Sequence, residues 1–165
     1  QQFGYGYFIS GKLNPYKYIH CYINIPDNCS RDSLFQSEVR RCKSFLDIID
    51  NNPDSRHFCV FDELYSGTNP YEAISSAYSY LNHISKNKNI KFILTTHYIK
   101  LCKLFRKHKN IKNYNMKTKT INNTAKYYYK IIKGISKIKG GIAILKNLEY
   151  PDSVINNAIE IMNKL

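Results

Sequence analysis

No apolar run in this chain approaches the ~18 residues that a membrane-spanning helix needs, so the expectation is a soluble protein with no membrane partner. Cysteine pairs are lacking too. Cys21, Cys29, Cys42, Cys59 and Cys102 are odd in number, form no CxxC and sit mostly among apolar neighbours. That pattern speaks against a disulfide framework or a zinc site. It fits buried thiols in an intracellular, reducing compartment, whether cytoplasm, nucleus, organelle or virus factory. Acidic residues are missing from positions 100–139, which hold 13 Lys/Arg, so the net charge of +13 is concentrated there and the remainder is neutral. No internal repeat and no secretory signal pattern is present, and the chain opens at Gln1 rather than Met, which reads as a truncated end.

What is present is a chain of 165 residues, 43% apolar and 14% aromatic, enough for one domain with a single core. The basic stretch admits two readings. It is a patch for the phosphate backbone of nucleic acid, or it reflects a Lys/Asn/Ile/Tyr bias that runs through the whole sequence, as AT-rich coding would produce.

Strand and helix signals alternate along the chain. "YKYIHCYIN" reads as a strand and "IPDNCS" as a turn. Between Arg31 and Asp50, Leu34, Phe35, Val39, Cys42, Phe45, Leu46 and Ile49 recur at helical spacing, with Ser30 as the expected N-cap. "HFCVF" and "KFILTT" read as buried parallel strands, separated by the helix "YEAISSAYSYLNHI", and "YIKLCKLFRK" as a short helix. Such alternation predicts an α/β fold. "YNMKTKTI" and "AKYYYKII" around Asn122-Asn123 predict a hairpin. Pro151 opens a last helix with Val154, Ile155, Ala158, Ile159 and Met162 on one face.

Asp62 and Glu63 then fall at the carboxyl end of a buried strand, the edge where open α/β sheets place ligands. Adjacent carboxylates disfavour each other's ionisation unless a cation sits before them. A strand ending in Asp-Glu is the Walker B arrangement, in which Asp holds Mg²⁺ and Glu activates the water that attacks the γ-phosphate of ATP. An exposed acidic pair at a strand end is the plainer alternative. The next buried strand ends in "TTHY", which brings His97 to the same edge, where an imidazole can sense a γ-phosphate. That is the switch-histidine pattern of ABC-type ATPases.

Together these residues resemble the ATPase domain of the MutS family of DNA mismatch-recognition proteins. "DELYSGTNPYEA" followed by "FILTTHYIKL" matches its Walker B, D-loop and switch histidine in order, and "DSLFQSEVRR" resembles its signature segment. "YYYKIIKGISKIKGGIAILKNLEYPDSVINNA" resembles its closing hairpin, Gly-rich turn and helix. The resemblance implies a P-loop NTPase fold of ABC type: a mostly parallel sheet flanked by helices, with a C-terminal hairpin and helix. It divides the chain into a signature segment at 30–50, Walker B and D-loop at 58–70, switch histidine at 92–98, and hairpin with closing helix at 112–165.

It also implies roles. Asp62 would bind Mg²⁺, with Glu63 as general base and His97 beside it in catalysis. Gly67, Thr68 and Asn69 would form the D-loop facing a second MutS-like subunit, and Ser33 would touch the γ-phosphate held by that partner. Leu34 stands where the family usually has Thr, and Tyr22 where members often have Arg in the loop before the signature. "ELYSGTNPYEA" and "IKGG" are most similar to the giant-virus and octocoral-mitochondrial branch. Other ABC-type ATPases, SMC-like or transporter subunits, share Walker B and switch histidine but usually carry a Ser-Gly-Gly signature close before Walker B. A basic module without catalysis is the third reading.

"GYFISGKL" nearly spells the phosphate loop GxxxxGK[ST]. Leu13 offers no hydroxyl to Mg²⁺, Tyr7, Phe8 and Ile9 are too bulky to wrap phosphates, and Pro15 obstructs the helix that should follow. The expected phosphate loop would precede Gln1, leaving these 165 residues alone inactive, with DNA contacted mainly through regions outside them.

Overall fold

The computed structural model describes residue 12 and residues 14–23, 33–121, 124–136 and 140–164. "GYFISGKL", apart from Lys12, lies outside the described residues, as do Cys29, Ser30 and the Asn122-Asn123 turn. The chain divides into two compact units, Gln1–Ile111 and Lys112–Leu165.

In the first unit, aromatic and β-branched side chains build three strands, β1 (Tyr18–Tyr22), β2 (His57–Asp62) and β3 (Ile90–Thr95). They pair in parallel in the order β1-β2-β3. Parallel neighbours need crossovers, and α1 (Leu34–Asp50) and α2 (Pro70–Ile84) supply them. A short helix, α3 (Ile99–Leu104), follows β3.

The register aligns alternate residues on one face: His20 and Tyr22 of β1, Cys59 and Phe61 of β2, Phe92 and Leu94 of β3. Phe45 of α1 and Tyr80 of α2 both meet Phe61 on that face, with ring centroids 6.3 and 5.7 Å away. Both helices therefore cover the same side of the sheet. Phe61 is fully buried at the centre, where truncation to Ala typically destabilises by about 3–5 kcal/mol. On the other side Ile19 and Ile93 stay about half exposed, so the expectation of strands buried on both faces holds for one face only among the described residues.

A polar seam crosses this core. His20 and His57 are buried, with His20 Nε2 3.1 Å from His57 Nδ1 and His57 Nε2 3.0 Å from the carbonyl of Asn52. A carbonyl only accepts, so His57 donates from Nε2 and accepts at Nδ1, and His20 donates from Nε2. Burial first, and then the electrostatic influence of the neighbouring His57 and Arg41, lowers the pKa of His20.

Helix α1 starts later than the periodicity predicts. Its N-cap is Ser33, whose hydroxyl accepts from Gln36 N while Gln36 Oε1 accepts from Ser33 N, a reciprocal box that satisfies two otherwise free donors. The buried stripe differs as well: Glu38 is buried and Val39 is exposed. Tyr22 is not in a loop but is the buried last residue of β1.

The second unit holds an antiparallel hairpin, β4 (Tyr114–Ile121) with β5 (Thr124–Lys133), bulged between Met116 and Thr118. Gly140 and Gly141 do not form a free turn. Gly140 caps and Gly141 begins a helix unforeseen in the sequence, α4 (Gly141–Asn147), because the apolar Ile142–Leu145 run continues the helical hydrogen bonds. The last helix, α5 (Asp152–Lys164), follows Pro151 as expected, with Ile155 buried and Val154 exposed.

Candidate nucleotide site

Parallel pairing of β2 with β3 places Asp62 opposite Thr95, so both strands end at one edge. The Thr95 hydroxyl donates to Asp62 Oδ1. One residue on, Glu63 adopts a left-handed backbone, φ 51°, while its amide still donates to the Thr95 carbonyl at 3.0 Å. A non-glycine residue in this region costs about 1–3 kcal/mol, and such outliers concentrate at functional sites. The turn aims the Glu63 carboxylate across the edge to His97, whose Nδ1 lies 3.1 Å from Glu63 Oε1. Both side chains are more than half exposed, so the pair contributes little stability. His97 sits between β3 and α3 with its ring centroid 4.4 Å from that of Tyr98.

The loop after Glu63 is anchored from below. Leu64 and Tyr65 are buried, and Tyr65, also left-handed at φ 61°, donates its amide to the Tyr22 hydroxyl at 3.2 Å. The aromatic at position 22 thus serves a structural purpose where an arginine was the family expectation. Burial pushes the hydroxyls of Tyr22, Tyr65 and Tyr80 above the usual tyrosine range, which keeps them protonated as donors. Burial likewise pushes the Cys42 and Cys59 thiols up to about 12, so neither is a nucleophile.

Gly67 tolerates no side chain. A Cβ there would come within 2.8 Å of Leu34 Cγ and of the Phe35 amide nitrogen, so the loop lies directly on the first turn of α1, next to Ser33. Thr68 donates to Glu72 Oε2 at 2.6 Å. Asn69 caps α2, its Oδ1 accepting from the amides of Tyr71 and Glu72, and Pro70 occupies the first helical position, where its missing N–H is not needed.

The candidate residues thus fall into two groups. Asp62, Glu63 and His97 converge at the sheet edge. Gly67 lies against Leu34 and Phe35, which directly follow Ser33 at the start of α1, and Thr68 and Asn69 join Gly67 to α2. Glu38, the glutamate of the "DSLFQSEVRR" segment, to which the sequence assigned no role of its own, accepts hydrogen bonds from Ser66 and Gly67 of the same loop. Its signal was a carboxylate on the apolar stripe, four residues after Leu34 and four before Cys42.

Among the described residues no three His, Cys, Asp or Glu side chains group as a metal cage. The basic stretch is shared between the two units; Lys103, Arg106, Lys107, Lys109 and Lys112 are exposed. No helix among the described residues is long and apolar enough to cross a membrane.

The first unit is thus a small parallel α/β unit with paired carboxylates and a histidine at the carboxyl edge of its sheet. The family described as MutS domain V matches residues 6–165, and the chain belongs to that family. It is 34% identical over 146 residues to the DNA mismatch repair protein MutS of Parabacteroides distasonis, covering 87% of this chain and 16% of that protein. The corresponding protein of Clostridium perfringens is 35% identical over 135 residues, 81% of this chain and 14% of its own length. That of Aquifex pyrophilus is 30% identical over 133 residues, covering 81% and 15%. The chain therefore spans about one-sixth of the length of these curated relatives.

Proposed function

We propose that this chain is the ATPase module of a MutS-like DNA mismatch repair protein, with a P-loop NTPase fold of ABC type, hydrolysing ATP at composite sites between two subunits to control DNA binding. The observation that supports it most is the convergence of Asp62, Glu63 and His97 at one sheet edge, reached from two strands and through a left-handed Glu63. The relatives named as mismatch repair proteins support MutS over an SMC-like or transporter subunit.

Asp62 would hold Mg²⁺. A single exposed carboxylate beside the Thr95 hydroxyl suits this ion, which keeps several waters and takes further oxygens from phosphate rather than from a protein cage. Bound there, Mg²⁺ would neutralise charge on the transferring phosphoryl group. Glu63 would accept the proton of the attacking water. His97 spans the two tasks: Nδ1–H donates to Glu63 and orients it, leaving Nε2 for a phosphate oxygen, to which only a protonated Nε2 can donate. Ser33, Gly67, Thr68 and Asn69 would face the nucleotide of a second MutS-like subunit. DNA would be handled mainly by other regions of the complete protein. The resemblance to the giant-virus and octocoral-mitochondrial branch and a reducing intracellular setting belong to the same proposal.

The test is Glu63→Gln in the complete protein, which keeps shape and removes the base. Turnover is expected to fall by about 10²- to 10⁴-fold with ATP binding retained. Unhydrolysed ATP should then hold two ATPase modules together, read by sedimentation with and without Mg-ATP. Unchanged hydrolysis removes the Walker B assignment, and an inactive complete protein before any substitution supports the non-catalytic binding module.

A further inference from the structure

Glu38 is 2% exposed and lies in the second turn of α1. A buried carboxylate is costly unless its oxygens are saturated with donors. Here they are. Oε1 accepts from the Ser66 amide at 3.0 Å and from Ser66 Oγ at 3.1 Å, Oε2 accepts from the Gly67 amide at 3.0 Å, and the Tyr22 hydroxyl adds a fourth hydrogen bond.

None of these donors belongs to α1. Two are backbone amides of the loop that follows Glu63, one is a loop hydroxyl, and one is the tyrosine that also holds Tyr65 N. Further contacts follow the same seam: the Tyr65 hydroxyl bonds Cys42, the Phe35 and Tyr65 rings meet edge to face at 5.9 Å, and Gly67 leaves no room against Leu34 and Phe35. Glu38 thus ties the first turns of α1 to Ser66 and Gly67 at the head of the loop, at the centre of these contacts.

We propose that Glu38 is a positioning residue for the composite site: it fixes Ser33 and the Gly67–Asn69 loop relative to each other, so that both reach the partner subunit's nucleotide in one geometry. This rests on the reading of those residues as partner-facing. The chemistry requires a carboxylate. Both oxygens meet N–H or O–H donors, so an amide at this position must turn its own NH₂ against a backbone N–H on one side. Charge-assisted acceptance of amides is also stronger than the neutral equivalent. Since α1 and β2 would remain in place without it, loss of Glu38 acts on alignment, and misplacement of about 1 Å at a reacting site is worth about 100-fold in rate.

In the complete protein, Glu38→Gln is expected to leave the Kd for Mg-ATP within about threefold while lowering kcat and ATP-dependent association by about 10- to 100-fold. Hydrogen exchange should speed up at the Ser66 and Gly67 amides, while those of residues 57–62 remain protected. Glu38→Gln and Ser66→Ala should combine non-additively in kcat, because they act through one hydrogen-bonded cluster. Unchanged kcat and association in Glu38→Gln, or unchanged exchange at Ser66 and Gly67, would overturn the proposal. If Glu38→Gln does not fold, Gly67→Ala forces the loop off the helix while leaving the carboxylate in the chain, because its Cβ would press on Leu34 and Phe35 and come 3.1 Å from Glu38 Oε2; it should show the same split between Kd and kcat, and normal turnover there overturns the proposal equally. Glu63→Gln distinguishes the two levels, because continued hydrolysis in that variant removes the catalytic reading, whereas a silent Glu38→Gln beside an inactive Glu63→Gln removes only the role of Glu38.

Discussion

Glu63 and His97 stand 34 positions apart in sequence, yet Oε1 of one lies 3.1 Å from Nδ1 of the other, and the left-handed turn at Glu63 is what closes that gap. The exposed pair contributes little to stability, so its interest is kinetic. His97→Ala in the complete protein is expected to leave the melting temperature nearly unchanged and to lower kcat by about 10²-fold or more, through loss of the group that orients the base. Steady-state hydrolysis checks this, and kcat equal to the parent protein's would exclude His97 from the site.

Asp62 should behave differently from Glu63. Asp62→Asn weakens the hold on the metal in the ground state and in the transition state alike, so Mg²⁺-dependent nucleotide affinity and turnover should fall together. Titration of nucleotide binding against Mg²⁺ separates the two residues: a rightward shift is expected for Asp62→Asn and none for Glu63→Gln.

Lys107, Lys109 and Lys112 are exposed within the acid-free stretch. Replacing all three with Gln is expected to leave the DNA affinity of the complete protein and its salt dependence nearly unchanged, as a compositional bias would. Each lost phosphate contact should instead reduce the slope of log K against log salt by about 0.9, so a fall of about two units or more would assign this surface to DNA.

The His20–His57 seam makes folding stability depend on pH. The folded pKa of His20 lies below its ordinary 6.5, chiefly through burial, so the unfolded chain binds more protons than the folded one below that value. The contribution is therefore fully present above about pH 6.5 and is lost as pH falls through the lowered folded value. Denaturant midpoints measured between pH 7.5 and pH 5 should decline for the parent protein and decline less for His20→Gln. A parallel decline in both would show that His20 is not the titrating group.

Much of the first unit was legible in the sequence because strand and helix signals there coincide with burial. "HFCVF" and "KFILTT" are apolar enough to pair, and Asn69-Pro70 announces the start of α2 through a cap and a residue that needs no N–H. The second unit was less legible. α4 was missed because a glycine pair signals a turn, and only the run after it makes a helix. Spacing alone puts the cap at Ser30, because it does not reveal that Gln36 completes a reciprocal box with Ser33.

What the sequence by itself determined is the order of chemistry along the chain: a serine-led helix, an Asp-Glu pair closing a buried strand, a glycine loop, and a histidine closing the next strand. Local pattern suffices for this, because apolar periodicity sets the elements and strand ends set the edge. The tertiary structure decided which of these residues meet. Parallel register set Asp62 against Thr95, a left-handed φ turned Glu63 to His97, and burial gave Glu38 to the amides of Ser66 and Gly67. Hydrogen bonds between residues far apart in the chain depend on backbone positions that no single segment specifies, so a carboxylate on an apolar stripe acquires its partners only when the helix and the loop are packed together.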